Sequence, residues 1–103
     1  MSKITVIAKL TAVDGKGPEL ETALDELCVA AQEETGLEIY SAHRDTADAN
    51  VYWFFEMYTG DDAWAAHGKG DAMKAAMGAF GSLLAGRPEL HMLTPVAAKG
   101  LDI

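Results

Sequence analysis

Val51-Tyr-Trp-Phe-Phe-Glu-Met-Tyr58, followed by Thr59-Gly-Asp-Asp62 and Ala63-Trp-Ala-Ala-His67, is the stretch on which the fold turns. Its first eight residues are apolar or aromatic on both faces of an extended chain, with Val51, Trp53, Phe55 and Met57 on one side and Tyr52, Phe54, Glu56 and Tyr58 on the other. A strand of that kind is covered on both sides. Thr59-Gly60 reads as a tight turn, Asp61 and Asp62 as helix caps, and Ala63 to His67 as a helix that raises a histidine over the sheet.

Upstream, Asp45-Thr-Ala-Asp-Ala-Asn50 is polar and turn-prone, so the aromatic strand pairs as a hairpin with the alternating segment Leu37 to Arg44. Before that lies an amphipathic helix whose Leu20, Ala23, Leu24, Leu27, Cys28 and Ala31 recur at three and four residues, introduced by Pro18 and closed by Gly36 as a left-handed cap. Lys3 to Thr11 alternates as a first strand, with Ile4, Val6, Ala8 and Leu10 on one face. Downstream, Gly68-Lys-Gly70 breaks the helix, Asp71 caps another, and Met73, Ala76, Met77, Phe80 and Leu84 form its apolar stripe up to Gly86-Arg-Pro88. Glu89 to Val96 is a last strand, and Ala97 to Ile103 a tail.

The order strand, helix, strand, strand, helix pair, strand predicts an α+β chain of the ferredoxin-like split βαβ type: a four-stranded antiparallel sheet with its helices on one face. Helices cover only one face in a single domain of residues 1–103. The second face of the aromatic strand is then covered by another copy of the chain, giving a homodimer.

Composition narrows the partners. A formal net charge of −8, with eight Lys and Arg in all, argues against nucleic acid and against anionic membrane surfaces. No apolar run is long enough to span a bilayer, no signal peptide is recognisable, and the lone Cys28 has no disulfide partner, so a reducing cytoplasm is expected. Cys28 itself reads as a small core hydrophobe.

His43, His67 and His91 lack a second ligand at metal-binding spacing, and the glycine pairs at 15/17 and 68/70 do not extend to a nucleotide motif, so no metal or cofactor is expected. His67 is the polar residue with most to say. It shares a helix face with Trp64, beside apolar surface, where an imidazole suits a general base; a half-buried histidine bonded to a backbone carbonyl fits the same pattern. Glu56 and Tyr58 share a strand face and could orient a substrate hydroxyl, or Glu56 could pair with Arg44 or Lys9 on a neighbouring strand.

The run Val6-Ile-Ala-Lys-Leu10, Gly15-Lys16, Glu19-Leu20, Gly36, Tyr40, His43-Arg-Asp45, Phe55-Glu56, Tyr58, Asp62-Ala63, Ala66-His67 and Leu83-Leu84-Ala-Gly86 resembles the antibiotic biosynthesis monooxygenase (ABM) family of dimeric α+β barrels. The resemblance implies a sheet-on-sheet homodimer with a pocket between sheet and helices in each subunit. It implies oxidation of a small electron-rich aromatic, a quinol or phenol, by O₂ without metal or flavin. His67 would be the base, Trp64, Met77 and Ala8 would line the pocket, and Tyr58 would position an oxygen substituent. A haem-degrading branch carries asparagine, tryptophan and histidine where this chain has Ala8, His67 and Met77, so haem chemistry is not expected. An isomerase using the same histidine beside a carbonyl, and a non-catalytic ligand-binding dimer, are the alternatives.

Overall fold

The computed structural model describes residues 3–103. Its elements run β1 (Ile4–Thr11), α1 (Gly17–Ala30), a 3₁₀ turn (Ala31–Glu33), β2 (Leu37–Arg44), β3 (Val51–Tyr58), α2 (Asp61–Lys69), α3 (Asp71–Phe80) and β4 (Glu89–Leu93). The strands form one antiparallel sheet in the order β2-β3-β1-β4. This is the predicted ferredoxin-like arrangement, with the aromatic strand β3 in the interior.

Alternation sorts the side chains as expected. Val6, Ala8 and Leu10 of β1 and Tyr52, Phe54, Glu56 and Tyr58 of β3 face the helices and are buried. Leu20, Leu24 and Leu27 of α1 pack onto them, and each such side chain contributes about 1.5–3 kcal/mol of burial. On the opposite face Ile7, Trp53 and Phe55 stay half-buried, whereas Thr5, Val51 and Met57 are buried. Lys3 at the start of β1 donates to the Asp102 carbonyl at 2.6 Å, tying the tail to this edge of the sheet.

Several local expectations need correction. Gly36 is not a left-handed cap: the only positive-φ residues described are Gly15 and Gly100. It is required for close approach, because a Cβ there would stand 2.5 Å from the Cβ of Ala63 where α2 crosses the start of β2. Asp61, Asp62 and Asp71 begin their helices without capping them through side chains; their carboxylates favour the helix N-termini through the dipole alone. Helix α3 stops at Phe80, before Leu84 and well before Gly86. The following segment instead binds the end of β1, with Val13 N–H donating to Leu83 O and Ala85 N–H to Thr11 O, both at 2.8 Å. Strand β4 ends at Leu93, and Leu90 and Met92 remain half-exposed on its helix-facing side because no helix reaches that edge. Among the described residues no helix is long and apolar enough to cross a membrane.

Candidate functional site

A cavity of about 480 Å³ lies between the sheet and the helices. Its floor comes from Ala8, Phe54, Glu56 and Tyr40, its roof from Trp64 and His67 of α2 and from Met73 and Met77 of α3, and its lip from Arg87 and Pro88. The hollow exists because Ala8, at the middle of a central strand, carries no side chain beyond Cβ between Phe54 of β3 and Leu90 of β4, its partners in register. Anchoring of the 83–85 segment to β1 holds the lip in place.

The predicted residues His67, Trp64, Met77, Ala8 and Glu56 all line this one space. Tyr58 does not. It sits behind the wall, donating its hydroxyl to Glu56 Oε1 and packing edge-on against Trp64 with ring centroids 5.3 Å apart. The expected strand-to-strand pairing of Glu56 does not occur: Arg44 binds Glu21 across 3.1 Å, and Lys9 lies 3.8 Å from Glu89. Both cations reach away from the interior toward partners near the surface. Burial pushes the Glu56 carboxyl above the ordinary carboxylate range, against the Tyr58 hydrogen bond and the nearby His67, which pull it down.

His67 is 6% exposed and is held by a carboxylate rather than by a carbonyl. Its Nδ1 lies 2.8 Å from Oε1 of Glu34, which follows the 3₁₀ turn after α1. With Nδ1–H donating to Glu34, the neutral ring presents Nε2 as an acceptor. No buried side-chain nitrogen or oxygen among the described residues lacks a partner, and Nδ1 is the ring nitrogen that has one. Nε2 therefore keeps open surface, and His67 lines the cavity. A second cleft, of about 550 Å³ and lined by Glu33, Glu34, Asp62 and Asp71, lies on the Glu34 side, so His67 and Met73 form the wall between the two spaces.

Tyr40, which belongs to the run that resembles the family but carries no site role in the sequence reading, also lines the cavity. It stacks on Phe54 at 4.4 Å, lies 5.2 Å from the His67 ring, and is the register partner of Glu56. Burial raises its phenol far above the ordinary tyrosine value, so it is a neutral donor. A register shift between Leu37 and Ile39 puts both Leu37 and Tyr40 on the helix side, whereas strict alternation would send them to opposite faces. Glu34 lies 33 positions from His67, and no local pattern could have joined them. Cys28 packs against the core with its thiol raised by burial, an inert setting.

Residues 3–79 match the family described as Antibiotic biosynthesis monooxygenase. Among solved structures, a candidate antibiotic biosynthesis monooxygenase from Caulobacter crescentus CB15 is 32% identical, covers 93% of this chain and 92% of its own, and superposes with a TM-score of 0.88. PA3566 from Pseudomonas aeruginosa is 25% identical, with 94% and 97% covered and a TM-score of 0.87. NE2512 from Nitrosomonas europaea, a protein of unknown function, shares the fold at 22% identity, with 99% and 97% covered and a TM-score of 0.87. No curated protein matches the chain.

Proposed function

Because the chain belongs to the antibiotic biosynthesis monooxygenase family, we infer that it is a cofactor-independent monooxygenase acting on a small electron-rich aromatic, a quinol or phenol, with O₂. The observation that carries this reading is a buried imidazole, fixed at Nδ1 by Glu34 with Nε2 left open, that lines a largely apolar cavity. Such a base suits a substrate that does its own redox chemistry once deprotonated.

His67 Nε2 takes the hydroxyl proton, and the resulting anion passes an electron to O₂. The two radicals combine at a ring carbon to give a peroxide anion. Its O–O bond breaks as that carbon loses its hydrogen, leaving a carbonyl on the product and one oxygen as water. The proton held by His67 returns to that departing oxygen. Trp64, Met77 and Ala8 enclose the ring and exclude bulk water, while Tyr58 acts through Glu56.

Aerobic incubation with a quinol panel, following O₂ uptake and product, tests the reading. His67→Ala should lower turnover at least a hundredfold, within the range general-base catalysis supplies, and unchanged turnover removes His67 from the mechanism. Neutral donors facing the base also suit proton abstraction beside a carbonyl. In that case no quinol is consumed and a carbonyl substrate exchanges its α-proton for deuterium. The half-buried Ile7, Trp53 and Phe55 on the outer sheet face support a homodimer packed sheet to sheet.

A further inference from the structure

Three polar side chains line the cavity: His67, Tyr40 and Glu56. The Tyr40 hydroxyl makes no hydrogen bond to another described residue, yet no buried side-chain nitrogen or oxygen among the described residues goes unpaired, so it keeps open surface, and Tyr40 lines the space. Glu56 accepts from Tyr58 through Oε1 alone, and by the same reasoning Oε2 is open. A carboxyl whose first oxygen is already an acceptor carries its acid proton on the second, pointing away from Tyr58. Tyr40 and Glu56 are register partners on the same sheet face, and Tyr40 lies edge-on to His67.

We propose that Tyr40 and Glu56 form an oxyanion site in which two neutral donors hold the oxygen of a phenolate while His67 keeps the proton removed from it. The proposal rests on reading the cavity as a site for phenols or quinols, and it specifies the form in which they bind. One proton moves, from the ligand oxygen to Nε2; the negative charge stays on the ligand oxygen, and Glu34 faces the imidazolium from its other edge. Burial favours the neutral carboxyl and neutral phenol that such a site needs. Donors placed in a low-dielectric cavity stabilise an anion more than water-exposed donors do.

Absorption spectroscopy with 4-nitrophenol, whose phenolate and phenol bands are separate, tests this without any turnover. The bound probe should be phenolate at a pH where the free probe is mostly phenol. Tyr40→Phe and Glu56→Ala should each weaken phenolate binding about tenfold to a hundredfold, the worth of a hydrogen bond to a charged group. Glu56→Gln, which keeps a neutral donor, should recover most of the Glu56→Ala loss. A probe bound as neutral phenol, or not bound, overturns the proposal, as does a Tyr40→Phe variant of unchanged affinity. Tenfold tighter phenolate binding by Glu56→Gln would mean an ionised wild-type carboxylate and also overturns it. A wild-type complex that holds the probe as neutral phenol overturns the proposal even where a variant fails to fold. Phenolate binding without oxidation of any quinol leaves this site standing and refutes the monooxygenase reading alone.

Discussion

A carboxylate at Nδ1 does two things for His67: it selects the ring tautomer and it stays close to the positive charge that appears when Nε2 takes a proton. Glu34 is thus a positioning residue, and Glu34→Gln should lower kcat about tenfold or more with little change in KM, because Glu34 belongs to the cleft on the far side of His67 and not to the ligand cavity. Glu34→Asp should restore part of the rate. Two-bond ¹H–¹⁵N correlation of the imidazole checks the cause directly: the wild type should show Nδ1–H, and the Gln variant a mixture. Glu56 gives a separate test through stability. Its folded-state pKa is raised mainly by burial above the ordinary 4.5, so the group's contribution to stability is fully present below that value and is lost as pH rises through the folded-state pKa. Thermal midpoints compared with Glu56→Gln should therefore drift in the variant's favour from about pH 4.5 upward, and parallel curves would show that Glu56 is not the group responsible.

At the scale of elements, α2 is fixed by a near-contact, whereas α3 carries a glycine with open space around it. Gly36→Ala would force two Cβ atoms to 2.5 Å, and its cost should be about 1–3 kcal/mol, as for other overpacked sites. Adding Ala63→Gly should return most of that in urea unfolding, a coupling expected of residues in direct contact. Gly78 lies within α3, and a Cβ there would meet nothing within 4 Å, so Gly78→Ala should stabilise by about 0.5–1 kcal/mol. These elements also show how far pattern reaches. Periodicities of two and of three to four placed β1, α1, β3 and α2 and put Trp64 and His67 on one helix face, since those features depend on near neighbours. The bulge that turns Tyr40 inward, the Glu34 contact and the loss of helix after Phe80 depend on residues brought together by the chain's return, and alternation carries no record of them.

For the whole molecule, the sheet divides its labour: one face makes the cavity, and the other leaves Ile7, Trp53 and Phe55 half-buried. If two copies meet there, sedimentation should report a dimer, and Phe55→Asp, a charge placed at the middle of that face, should shift it toward monomer while the cavity-side residues stay in place. A wild-type protein that sediments as a monomer would leave those aromatics without a role in assembly.

Ala8 gives the architecture an adjustable dimension. The void above it is set by one side chain that is short, while the surrounding strands, helices and acid–base groups are set by others. A graded series at this position, Ala8→Val and then Ala8→Leu, would shrink the chamber stepwise and leave the proton-handling groups untouched. Selectivity by ring size could thus change through one codon with the chemistry held constant, which offers a physical route by which one scaffold diversifies its substrates.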